Sequence, residues 1–181
     1  MVSIDTSILS LLLHPSAKPP IDPATNKPLE KAHERVDQLV DDLDSAKERI
    51  IIPAPALSEF LVIADAAGPQ YLAEISNLSH VYIEPFDQLA AIELAAMELL
   101  ARKTGNKRHP LPPDVPWQKV KFDRQIVAIA KRIGCRAIYS DDEHVRRIAE
   151  DIGMKVTSSW ELPFPQSKTP LLDASGNPII L

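Results

Sequence analysis

Five short apolar runs punctuate the chain: Val2–Ile4, Ile50–Ile52, Val81–Ile83, Ala137–Tyr139 and Lys155–Thr157. Three are almost continuously apolar, the pattern of strands covered on both faces of a parallel sheet. Between the runs, apolar residues recur at helical spacing. Val36, Leu39, Val40 and Leu43 mark one face of a helix over Glu30–Lys47, and Ala56–Ala66 is apolar almost all round. Pro69–Ser76 is a short helix candidate. Asp87–Lys103 is rich in alanine and leucine and opens on a residue suited to an N-cap. Arg124–Ile133 stops at Gly134 and Glu143–Ile152 at Gly153, both C-cap signals. Strands alternating with helices predict right-handed crossovers and a single three-layer α/β/α domain.

The prolines are clustered. Of 17, five fall in Pro15–Pro28, four in Pro110–Pro116 and four in Pro163–Pro178. None of these segments suits a helix interior. The expected organisation is therefore one domain over residues 1–160, with proline-rich insertions near 14–29 and 104–121 and a tail over 161–181.

Composition narrows the class. Apolar residues at 45% exclude a disordered chain. No apolar run approaches the roughly 18 residues that a bilayer requires, so no membrane association is expected. Met-Val-Ser-Ile-Asp is unlike a signal peptide, which points to a cytoplasmic protein. The single cysteine, Cys135, excludes both a disulfide framework and a thiolate-based zinc site.

The candidate chemistry lies in the carboxylates. Ligands of open parallel sheets bind outside the carboxyl ends of the strands. Asp5 ends the first strand, Asp141 and Asp142 end the fourth, Glu59 sits one turn into the helix after the second, and Asp123 opens the helix before the fourth. Each has an ordinary alternative. Asp5, Asp123 and one of Asp141/Asp142 suit helix N-caps. Glu59 is different, because its helical neighbours Pro55, Ala56, Val62, Ile63 and Ala66 are all apolar. Carboxylates about 5 Å apart repel by ~3 kcal/mol per pair at an effective dielectric near 20. A fold that gathers several does so for a cation, and oxygen ligands select Mg²⁺ or Mn²⁺ over zinc. Such an ion suits hydrolysis of a phosphodiester.

At these residues the chain resembles the PIN-domain family, which includes toxin ribonucleases of the VapC type. The likeness is carried by Asp5-Thr-Ser, by Pro55-Ala-Leu-Ser-Glu59-Phe, by Phe122-Asp123 through Gly134, and by Ile138-Tyr-Ser-Asp-Asp142. It implies a five-stranded parallel sheet and a metal-dependent endoribonuclease acting on single-stranded RNA or a structured RNA loop. Asp5, Glu59 and Asp123 become the catalytic acids, joined by Asp142 or Asp141. Asp5, Asp123 and Asp142 or Asp141 are the expected metal ligands. Ser7, or else Thr6, supports the first aspartate or touches a phosphate. A cognate antitoxin and a homodimer are the implied partners. Two features depart from the family pattern: the proline-rich insertions, and His144 where an acidic or aromatic residue is common.

Arg102, Lys103, Lys107, Arg108, Lys119 and Lys121 face only Asp114 in their segment, a local charge of +5 within a chain of −5. Leading directly to Asp123, this stretch is suited to an RNA backbone, with Trp117 as a stacking face. The alternative is a solvated loop whose tryptophan packs on the core. The five histidines show no ligand spacing. Glu93 is either an auxiliary acid or a residue of a dimer face. Two other functions compete with this reading: a catalytically silent RNA- or protein-binding module that keeps the acidic pocket, and a receiver-type phosphotransfer protein. The second lacks paired acids after the first strand and a lysine after the last.

Overall fold

In the computed structural model, which describes residues 1–165, the five apolar runs are the five strands of one parallel sheet. In chain order the elements are β1 (Val2–Ile4), α1 (Thr6–Leu13), β2 (Ile21–Asp22), β3 (Lys27–Pro28), α2 (Ala32–Ser45), β4 (Ile50–Pro53), α3 (Ala54–Ala64) and α4 (Gly68–Asn77). There follow β5 (Val81–Glu84), α5 (Gln88–Lys103), α6 (Trp117–Ile133), β6 (Ala137–Tyr139), α7 (Glu143–Asp151) and β7 (Lys155–Thr157). The main sheet runs β5-β4-β1-β6-β7. Its register pairs Val2 with Ile50 on one side of β1 and Ser3 with Ile138 on the other.

The pleat divides the core. Val2, Ile4, Ile50 and Ile52 face one way and pack with Ile8, Val36, Phe60 and Ile75 from α1 to α4. Ile51, Ile138 and Val156 face the other way, against Met97, Val127 and Ile148 from α5, α6 and α7. Alternate residues of β4 therefore serve opposite layers, which is why its sequence is an unbroken apolar run. Of the acids suited to cap a helix, Asp87 does so, its carboxylate accepting from Ala90 N at 2.9 Å, and of the Asp141/Asp142 pair it is Asp142 that caps α7, accepting from His144 N at 2.7 Å. Gly134 closes α6 at φ 77°, a left-handed position where a side chain is disfavoured.

One expectation needs correction. Helix α6 begins at Trp117, not at Arg124. Pro116 holds an extended conformation and ends the proline-rich stretch, after which Val120 and Val127 present a continuous buried face. Residues 117–121 are thus helical, and Asp123 lies in the second turn instead of capping the helix. On α3, the near-uniform apolar character does not mean burial all round: Val62 is 79% and Ile63 54% exposed. The 14–29 segment folds back on itself as the β2–β3 hairpin and buries Leu29. Most of the expected tail, residues 166–181, lies outside the described residues. Among the described residues no helix is long and apolar enough to cross a membrane.

Candidate active site

From β1 the chain builds β4 and β5 on one side of the sheet, then returns to build β6 and β7 on the other. The crevice at this reversal lies at the carboxyl ends of the strands, between β1 and β6, where ligands of such sheets bind. An open cleft of about 250 Å³ is found there, with Asp5, Thr6, Ser7, Glu59, Asp123 and Asp142 in its walls. Four acids well separated along the chain, Asp5, Glu59, Asp123 and Asp142, are brought together there.

Asp5 is the most enclosed and is committed to its neighbours. Oδ1 accepts from Ser7 N at 2.9 Å, Ser7 Oγ at 2.6 Å and Ile8 N at 3.2 Å, so the residue caps α1. Oδ2 accepts from Ser140 Oγ. Burial pushes the carboxyl up to about 6, the serine hydroxyls opposing it only in part. Thr6 turns elsewhere: its Oγ1 donates to Glu59 Oε2 at 2.7 Å. Ser7 therefore steadies the first aspartate, and Thr6 the glutamate.

The centre of the site is formed by Asp123, Asp142, His144 and Lys119. One donor atom each from Asp123, Asp142 and His144 lie within 4.8 Å of one another. Lys119 Nζ donates to Asp142 Oδ2 at 2.7 Å and to Asp123 Oδ1 at 3.3 Å. Burial drives the Asp123 carboxyl up to about 7; the Lys119 ammonium pulls it down, while Asp142 and Glu59 add to the rise. For Asp142, burial pulls upward but is outweighed by the hydrogen bond and charge of Lys119, leaving it below the usual range. Lys119 is raised in turn: burial would lower it, and the two carboxylates prevail.

A cation fits this donor set. Asp123 Oδ2 and His144 Nδ1 are buried without a hydrogen-bond partner and lie 3.6 Å apart. An unsatisfied buried carboxylate oxygen is costly, and an ion shared with Asp142 removes the cost. His144 was not found by histidine spacing, since its companions are aspartates; the usable signal is Asp142-x-His144 at a helix start.

The two adjacent acids after β6 part company. Asp142 faces the cleft, whereas the Asp141 carboxylate accepts from Ser159 N at 2.6 Å and Ser159 Oγ at 2.8 Å. Its own N–H donates to Ser7 Oγ at 2.9 Å, tying the end of β6 to α1. Of the basic segment, Lys119 reaches the acids directly. Lys107 and Lys121 stand over the Trp117 ring at 5.0 and 5.7 Å, with Arg124 at 5.6 Å. That ring is partly buried against the α6 core. Arg108 Nε donates to Val115 O at 2.6 Å. The buried Arg124, whose role no spacing in the sequence signals, donates through Nη2 to Lys107 O at 2.9 Å and His109 O at 2.8 Å. Glu93 pairs with Lys131 at 3.0 Å, away from the acids.

An α/β/α domain of this kind is the fold on which the comparisons agree. The PIN domain family model matches residues 29–151, and this chain belongs to that family. Solved structures share the fold. DNA-bound VapBC from Salmonella typhimurium aligns at 18% identity and TM-score 0.52, covering 87% of this chain and 97% of that one. VapBC2 from Rickettsia felis, bound to a promoter DNA fragment, aligns at 13% and 0.54, covering 87% and 98%. VapC20 from Mycobacterium tuberculosis, a sarcin-ricin loop cleaving toxin, aligns at 15% and 0.51, covering 85% and 96%. No curated protein matches the sequence.

Proposed function

We propose that this PIN domain is a metal-dependent endoribonuclease that cleaves single-stranded RNA or an exposed RNA loop, and that it is the toxin of a toxin–antitoxin pair. The observation that carries the reading is the unpartnered, buried Asp123 Oδ2 beside Asp142 and His144. Asp123, Asp142 and His144 would hold Mg²⁺ or Mn²⁺, with Asp5 and Glu59 completing the acidic wall. Such an ion offsets charge developing on a phosphodiester and lowers the pKa of an attacking water. Glu59, whose Oε2 accepts from Thr6, would orient an attacking water and accept its proton as the water oxygen bonds to phosphorus and the P–O bond to the leaving strand breaks. Asp5, held by Ser7 and Ser140, keeps α1 and β6 in register around the cleft.

Partners follow from the same reading. The VapBC relatives are toxin–antitoxin complexes, and a cognate antitoxin covers the cleft here. A homodimer forms through α5, whose Leu89, Ile92, Leu99 and Leu100 are more than half exposed. The protein acts in the cytoplasm.

The test is cleavage of labelled single-stranded RNA with Mn²⁺, with EDTA and with Asp123→Asn. Metal-dependent cleavage lost in the variant supports the nuclease. RNA binding without cleavage, unaffected by EDTA, supports the silent binding module instead.

A further inference from the structure

Lys119 and Asp123 stand four residues apart on α6, so their side chains share a face. A lysine in the first turn of a helix meets the positive end of the helix dipole, an unfavourable place unless acids lie within reach. Here two do. The ammonium is within hydrogen-bond reach of Asp142 Oδ2 and Asp123 Oδ1. These residues are also two of the three that form the cation-sized cluster. A bound ion and the ammonium therefore compete for the same carboxylates. The Lys119 side chain is 40% exposed, against 4% for Asp123, so it can withdraw to solvent without opening the core.

We propose that the Lys119 ammonium is a resident substitute for the divalent ion, bridging Asp123 and Asp142 until the ion displaces it, and that Lys119 thereby sets the metal affinity of the site. The inference deepens the proposed function, since it concerns the same acids. Lys119 is a positioning residue: it holds the two carboxylates together and limits how readily they accept a metal. With the ammonium seated in about nine molecules of ten, only a tenth of the protein is competent and the apparent affinity falls about tenfold. The ion that wins this exchange leaves Lys119 as a free cation at the rim of the cleft.

The experiment is calorimetric titration of the full chain with MnCl₂, without RNA, for the wild type, Lys119→Met and Lys121→Met. Lys121 lies on the same helix with its ammonium over Trp117, so its loss reports the long-range field alone. The expected result is about tenfold tighter Mn²⁺ binding for Lys119→Met, beyond any change in Lys121→Met. In a parallel Mg²⁺ titration of lysine-labelled protein, the Lys119 ammonium NMR signal is expected to move from hydrogen-bonded to solvent-exchanging as the ion binds. Should Lys119→Met be unstable, Lys119→Gln gives the same comparison. Equal affinities for the Lys119 and Lys121 variants, or an ammonium signal unmoved while Mg²⁺ binds, overturn the exchange and leave the nuclease reading standing. Absence of Mn²⁺ binding in wild type and Lys119→Met alike, or binding that survives Asp142→Asn, overturns both.

Discussion

His144 Nδ1 and Asp123 Oδ2 face each other at 3.6 Å, both buried and neither hydrogen-bonded. A nitrogen in an otherwise oxygen donor set favours Mn²⁺ over Mg²⁺, which takes oxygen ligands and keeps several waters. Wild-type protein is expected to bind Mn²⁺ more tightly than Mg²⁺. His144→Ala should weaken Mn²⁺ binding by roughly tenfold, within the range for residues at a metal site, and leave Mg²⁺ little changed. Titration calorimetry decides it, and equal losses for the two ions would remove His144 from the ligand set.

The raised carboxyls make the metal-free protein pH-sensitive. Asp5 titrates at about 6 and Asp123 at about 7 when folded, against 3.8 for both unfolded. Between about pH 4 and 7 the native state binds more protons than the unfolded chain, so stability falls as pH rises. The contribution is complete below about pH 4 and gone above pH 7. Urea unfolding without metal should show a loss on the order of 2–4 kcal/mol between pH 5 and 8. Saturating Mn²⁺ should cancel most of that loss, because it is the deprotonated Asp123 that binds it. Asp123→Asn should flatten the slope; a stability that rises over this range contradicts the assignment.

Arg124 fixes the start of α6 to the preceding loop. Removing it strands the carbonyls of Lys107 and His109 in a part-buried place, so Arg124→Leu should cost about 2–3 kcal/mol in chemical denaturation. Hydrogen exchange over residues 106–116 should rise in that variant while β1 and β4 stay protected. A loss spread evenly over the sheet counts against this local role.

Self-association is expected to depend on α5. Ile92 and Leu99 lie two turns apart on one stripe, 57% and 59% exposed. Placing charge on both, as Ile92→Asp with Leu99→Asp, should convert a dimer to a monomer by light scattering without lowering the thermal midpoint. A wild-type monomer at working concentrations would remove the homodimer from the proposal.

Much of the fold was legible because its determinants are local. The strand Ile50–Ile52 is apolar on both faces, and a strand buried on both faces must be. Asp87 was legible as a cap for the same reason, and so was a cap at either Asp141 or Asp142. The cleft acids were legible in part, since each follows a strand or opens a helix, but their division of labour was not. Asp141 and Asp142 are indistinguishable in sequence; Ser159, 18 residues on, decides which one turns away. The start of α6 is hidden in the sequence because Pro116 and the lysines resemble a loop, while the buried spacing of Val120, Arg124 and Val127 includes a charged residue. Lys119 suggested an RNA contact, because a single sequence shows its charge but not the two carboxylates it meets.

The winding order of the sheet has one more consequence. The hollow between β1 and β6 arises from the route of the main chain, so neutralising every acid around it leaves the hollow in place. A descendant of this protein that lost its chemistry would still own a ready-made receptacle, open to a new tenant through changes at a handful of side chains.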